Sequence, residues 1–189
     1  MNNIHIYIGY IAGILGFIPY VLLIISMRKG RMKPNLAGWI LYTIAVMMIV
    51  ASSIALGAWQ AVWLAMTYIV GQILVIAISF KTGYFSFSKF DYACFAVSLL
   101  GLILWIYTKN PIYALVLNVF VDAMGTLTIA RKTWLNPGTE DTLAWTLSFL
   151  VAVLNIFAIA SFDIGNALYP IYFVLAAALI TILSLRKKN

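Results

Sequence analysis

Arg28-Lys29-Gly30-Arg31-Met32-Lys33-Pro34-Asn35 runs directly into Leu36-Ala37-Gly38-Trp39, and the chain later repeats the pattern: Arg131-Lys132, then Pro137, then Leu143-Ala144-Trp145. Lys and Pro are five residues apart in both copies and are displaced by 103 positions, while the tryptophans are displaced by 106. A second loop longer by three residues accounts for the change. Neither basic stretch can sit in hydrocarbon, and long apolar runs flank both. Reading outward from them gives seven candidate spans: Ile4 to Met27, Leu36 to Leu56, Ala61 to Phe80, Asp91 to Tyr107, Pro111 to Ala130, Leu143 to Phe162 and Ala167 to Leu185. The fourth is short. The offset of 106 also sets Ala61-Val62-Trp63 against Ala167-Leu168-Tyr169.

Composition points to the same solvent. Of 189 residues, 65% are apolar and 9% charged, with a mean hydropathy of +1.04, whereas soluble domains carry roughly a quarter charged residues. Seven helices of about 20 residues use about 140 positions, so no room is left for a separate catalytic, receptor or nucleic-acid module. The net charge of +7 comes from 12 Lys and Arg against 5 Asp and Glu. In a soluble chain it would suggest phosphate binding; here its placement reads as topology. With the amino terminus outside, Arg28, Lys29, Arg31, Lys33, Lys81, Lys89, Arg131, Lys132, Arg186, Lys187 and Lys188 fall inside, and Lys109 alone falls outside, as the positive-inside rule requires. The carboxyl terminus is then cytoplasmic. Met1-Asn2-Asn3-Ile4-His5 has no basic residue ahead of the first apolar run, which reads as a retained helix rather than a signal peptide. Cys94 has no partner cysteine, so no disulfide framework forms.

The expected fold is therefore an all-α membrane protein of seven transmembrane helices: one repeat over 4–80, a linker helix over 91–107 and a second repeat over 111–185. The linker restores orientation, so the two three-helix repeats run parallel, related by an axis along the membrane normal. This three-plus-one-plus-three plan, with a proline in the first helix and a short basic, proline-containing loop leading into the second, resembles the PQ-loop superfamily that includes the SWEET sugar transporters. Where that family's signature reads Pro-Gln, this chain has Pro19-Tyr20, and the equivalent position of the second repeat is Asp122. The resemblance implies a transporter in which a solute binds between the repeats.

Polar side chains at mid-bilayer are costly and usually face the bundle interior. Asp122, nine residues from Arg131, lies about 13.5 Å along the helix from that cation, close to the middle of a core about 30 Å thick. Asn118, Gly125, Thr126 and Ile129 share its helical face. Asn155 and Gln72 are expected at similar depth, and Pro19, with Gly16 beside it, is a candidate hinge. Trp39, Trp145, Trp134 and Trp59 fall near helix ends, where an interfacial belt is expected, and Pro170 reads as a first-turn proline. Every Lys and Arg is at or beyond a helix end, so Asp122 is expected either to be protonated when its cavity is closed or to pair with a cation or cationic ligand. The first option gives proton coupling and the second a positively charged substrate.

These features predict a small secondary transporter or facilitator of a small polar solute working by alternating access, in which Asp122, Asn118, Asn155, Gln72 and Thr126 bind the solute and Pro19 and Gly16 form a gate. A seven-helix receptor or an ion channel is the alternative. A retinal pigment would need a lysine in the last span, and Ala167 to Leu185 has none. His5 is the only histidine and Asp122 has no second carboxylate at its depth, so neither a catalytic set nor a metal centre is expected, nor any cofactor. The expected partners are the solute, a proton and the lipid bilayer, with homo-oligomerisation left open; the expected location is a bacterial inner (plasma) membrane, since helical spans argue against the outer membrane.

Overall fold

The computed structural model describes residues 4–60, 62–82 and 87–186. Ala61, which opens the expected third span, and Lys187 and Lys188 of the basic count lie outside the described residues. Among the described residues eight α-helices follow one another: α1 (Ile4–Leu15), α2 (Phe17–Arg28), α3 (Leu36–Ala55), α4 (Val62–Thr82), α5 (Lys89–Thr108), α6 (Pro111–Leu135), α7 (Thr142–Ile156) and α8 (Ile164–Ser184), with a 3-10 turn at Pro137–Thr139. There is no strand among the described residues. Among the described residues five stretches are long and apolar enough to cross a membrane: Ile4–Arg28, Leu36–Ala55, Val62–Lys81, Pro111–Leu135 and Ile164–Ser184. The chain thus has the helices of an integral membrane protein.

Local chemistry sets the helix ends. Asn35 accepts from the Gly38 N–H at 2.9 Å, Asn110 from Ile112 at 2.9 Å, Asp141 from Ala144 at 2.9 Å and Asp163 from Asn166 at 3.0 Å, each satisfying a donor that a helix start leaves open. Hydrogen bonds from Ser161 and Asn166 hold the exposed Asp163 carboxyl below the usual carboxylate range. Ser88 and Asp91 cap α5 reciprocally, through Ser88 N–H to Asp91 Oδ2 at 2.7 Å and Asp91 N–H to Ser88 Oγ at 3.2 Å, a capping box. At the other ends, α2 and α3 stop where Gly30 (φ 68°) and Gly57 (φ 77°) turn left-handed, a conformation open to glycine at little cost.

The first apolar run is one candidate span, Ile4–Arg28, interrupted at Gly16 between α1 and α2, because Pro19 has no N–H to offer the Leu15 carbonyl. The fold corrects three expectations from sequence. The sixth run, expected to reach Phe162, ends as a helix at Ile156: the N–H groups of Phe157, Ala158 and Ile159 bond three residues back at 3.1 Å, tightening the last turn. Asp163 then starts α8 before the expected Ala167, which leaves Pro170 in the helix interior rather than its first turn. The fourth run is a helix of 20 residues rather than a short one.

Packing is in adjacent pairs. α4 lies against α1, α2 and α3; α8 lies against α6 and α7; the most extensive contact joins α3 to α6, while α7 packs on α1 and α2. α5 rests on α6 and, less, on α3. Small residues let α3 and α6 cross closely: a Cβ on Gly38 would fall 2.4 Å from Thr128 Oγ1, and one on Gly125 would fall 2.9 Å from Tyr42 Cδ1, the close-approach device of membrane helices. Large apolar side chains face outward, among them Ile14, Ile73 and Leu175. Asn118, Asp122, Gln72 and Asn155 are all buried, so polarity lies within the bundle and apolar surface outside, as a lipid solvent demands.

Loop contacts gather the basic residues at one end. The Lys33 N–H donates to the Thr139 carbonyl at 3.0 Å, Arg131 reaches Ser88 Oγ at 3.4 Å and Arg186 reaches the Trp134 carbonyl at 3.3 Å. Lys109 is at the far end, sharing a cleft with Ala51 and Ala55 near the end of α3.

Candidate functional site

Three helices build the surroundings of Asp122. Its side chain lies on the buried face of α6 at 1% exposure, and Tyr172 of α8 donates to its Oδ2 at 2.7 Å. Tyr172 Oη is 2.7 Å from Thr126 Oγ1, one turn along α6, and Thr126 Oγ1 is 3.0 Å from Tyr42 Oη of α3. A carboxylate only accepts hydrogen bonds, so an ionised Asp122 fixes the direction of the whole chain. Tyr42 donates to Thr126 and Tyr172 to the carboxylate, while the single Thr126 proton is shared between Tyr172 Oη and the Asp122 main-chain carbonyl, 3.2 Å away. When Asp122 holds a proton the chain can reverse, because each hydroxyl can both donate and accept. Asp122 and Thr126 were legible from their shared face; Tyr42 and Tyr172 were not, since nothing in the sequence separates them from nine other tyrosines.

Tyr42 also connects this chain to a central cavity. Rings of Tyr20, Trp39, Tyr42, Tyr68 and Trp145 wall it, with Gln72 and Ser148 as polar members. Its volume is about 10 Å³, room for about one water molecule. The rings meet edge to face or tilted: Tyr20–Tyr68 at 5.1 Å, Tyr20–Trp39 at 6.2 Å, Trp39–Tyr42 at 5.9 Å and Trp39–Trp145 at 6.2 Å between centroids. Trp39 and Trp145, expected in an interfacial belt, are thus core residues at 1% and 5% exposure. They lie close to the α3 and α7 starts, but on the faces that meet across the bundle. Trp134 and Trp59 are more than half exposed, as belt residues should be.

Several polar atoms around this cavity are buried with nothing to bond. They are Trp39 Nε1 and Gln72 Oε1 on its walls and Tyr169 Oη, whose ring stacks on the wall residue Phe173; away from the cavity, both amide atoms of Asn118 on α6 are in the same state. Asn118 has 0% exposure and lies one turn of α6 from Asp122. An unbonded buried polar group costs about 1–3 kcal/mol, and native proteins rarely tolerate a cluster of them unless water or a ligand completes it. Trp145 differs from Trp39: its Nε1 donates to Glu140 Oε2 at 2.8 Å.

The remaining residues singled out by sequence spread wider. Asn155 is buried in the last turn of α7 rather than at its middle, because that helix stops at Ile156, and it is outside the cavity walls. Gly16 packs on α4, where a Cβ would fall 2.6 Å from Leu64 and 3.1 Å from the Tyr68 ring. The break beside Pro19 therefore abuts a cavity wall. Asp141 caps α7, as acidic residues at a helix start do, while Glu140 beside it pairs with Lys132 and Trp145. Among the described residues no group of three His, Cys, Asp or Glu side chains could hold a metal. Compared with protein-family models, curated proteins and solved structures, the chain matches none.

Proposed function

We propose that this chain is a small secondary carrier or facilitator that binds a small polar solute at the centre of the bundle and exposes it alternately to the two sides. The observation that carries the reading is a buried carboxylate joined, through Tyr172, Thr126 and Tyr42, to an aromatic-walled cavity in which Trp39 Nε1 and Gln72 Oε1 have no partner. A solute would supply the missing hydrogen bonds while its less polar faces lie on the rings, the usual composition of a small-molecule site. Asp122 either carries the proton that couples uptake or balances a cationic group of the solute.

Packing supports a bundle of seven spans arranged as two parallel triplets with α5 as the linker. In the first triplet α4 lies between α1–α2 and α3; in the second α8 lies between α6 and α7; the two contacts between triplets, α3 with α6 and α7 with α1–α2, exchange under the same twofold relation. Asn35 and Asp141, 106 residues apart, cap their helices through the same bond, to the N–H three residues on. Trp39 and Trp145 meet each other. A PQ-loop-like transporter fits this organisation, with the basic end in the cytoplasm of a bacterial plasma membrane. Rocking of one triplet on the other would then alternate access, with Gly16 and Pro19 letting α1 and α2 bend where they touch Tyr68.

Purified protein should show melting shifts with members of a panel of small polar solutes, and proteoliposomes should take up the same solutes saturably, with faster uptake when unlabelled solute is loaded inside. Binding without flux would indicate a receptor; flux without such acceleration would indicate a channel.

A further inference from the structure

We infer that the segments Ser26–Lys33 and Lys132–Asp141 form a latch that closes the central cavity at the basic end, and that Lys132 and Ser26 are its moving contacts. The inference rests on the carrier reading, because a latch between triplets has a use only if the triplets move apart.

Three hydrogen bonds cross from one segment to the other. The Lys33 N–H donates to the Thr139 carbonyl at 3.0 Å, Lys132 Nζ donates to the Lys33 carbonyl, and Ser26 Oγ donates to Asp141 Oδ2. Two of them are held by charge: Arg31 Nη2 donates to Ser26 Oγ at 3.3 Å, and Lys132 is oriented by its ion pair with Glu140, whose side chain has 0% exposure. Charge-assisted bonds of this kind are stronger than neutral ones. Glu140 also accepts from Trp145 Nε1, and Trp145 with Trp39 walls the cavity within a turn or so of the helix starts. The latch and the cavity wall are thus one connected structure. Opening the latch breaks all three bonds: water replaces the exposed Lys132–Lys33 contact directly, the Lys33–Thr139 and part-buried Ser26–Asp141 bonds are wetted as the segments separate, and Trp145 is then free to follow Glu140 away from Trp39. At the opposite end, the His5 Nδ1 contact with the Phe157 carbonyl at 3.0 Å joins the triplets and is exposed, so nothing equivalent is built there among the described residues.

The latch can be tested without knowing the solute. In full-length protein carrying Cys94→Ser and Ser148→Cys, placed in vesicles, a membrane-impermeant thiol reagent supplied from the basic-end side reports the openness of the cavity. Ser26→Ala with Lys132→Gln should raise the labelling rate about tenfold or more, the shift expected when charge-assisted bonds are removed from one of two states. A Lys33→Cys, Thr139→Cys pair, whose backbones are already bonded, should lower labelling below the parent when oxidised and restore it on reduction. That second arm stands even if the first variant fails to fold. Labelling that responds to neither manipulation overturns the latch, whether or not solute moves. Labelling that responds as described, in protein that moves no solute of the panel in any form, upholds the latch and removes the carrier reading.

Discussion

Two polar clusters share the middle of this bundle and are treated in opposite ways. Around Asp122 each hydroxyl is bonded, from Tyr42 through Thr126 and Tyr172 to the carboxylate. Around the cavity Trp39 Nε1, Gln72 Oε1 and Tyr169 Oη, and one turn along α6 both amide atoms of Asn118, are equally buried and have no partner. Both sets are expensive in a medium without water, so a single stability argument cannot explain both. The satisfied cluster is a scaffold that positions a titratable group. In the proposed function the unsatisfied one is the set of ligand contacts, destabilising while empty.

The contrast is sharpest between two tryptophans at equivalent places in the two triplets. Trp145 Nε1 has Glu140 and Trp39 Nε1 has no partner, although their rings touch. Replacing each by Phe removes the N–H and keeps an aromatic ring. Trp145→Phe should destabilise the protein by about 1.5–3 kcal/mol, the value of a bond to a charged group, while Trp39→Phe should cost at least about 1 kcal/mol less, because it deletes an unbonded donor; thermal unfolding in detergent reads the difference. Equal losses would erase the distinction between the clusters. Asn118→Leu is the next test, since a volume-matched apolar side chain should stabilise the protein by about 1 kcal/mol and weaken the melting shift given by any solute that binds. A loss of stability would mean that the amide is bonded after all. The smallest effect belongs to Thr126→Val, which deletes bonds worth about 0.6 kcal/mol each in membrane proteins; a modest fall in melting temperature with an altered pH profile of uptake is expected, and a stabilised variant would dissolve the scaffold reading.

How far the sequence could be read follows from the same physics. Asp122, Asn118 and Thr126 stood out because a polar residue deep in an apolar run has no role in lipid, and the helical repeat then put them on one face, buried as expected. The aromatic residues gave no such signal. Trp39 and Trp145 sit where belt tryptophans sit, and only the packing of α3, α7 and α2 turns them inward. The early end of α7 was equally hidden, since Phe157-Ala158-Ile159-Ala160 stays apolar to a hydropathy reading while its N–H groups shift to bonds three residues back. That shift leaves Asn155 in the last turn of its helix. The break at Gly16 was foreshadowed by Pro19, whose missing N–H is a local property that no packing alters.

The most direct test of the proposed role is solute uptake into proteoliposomes across a range of pH, in the wild type and in Asp122→Asn. That substitution keeps an acceptor for Tyr172 and removes the charge. The wild type should move at least one small polar solute at a rate that varies with pH or with the charge of the solute, and Asp122→Asn should reduce that rate about 10- to 100-fold, the loss of a hydrogen-bonded charge at the site, and flatten its pH dependence. Uptake that is independent of pH and unchanged by Asp122→Asn would contradict the account.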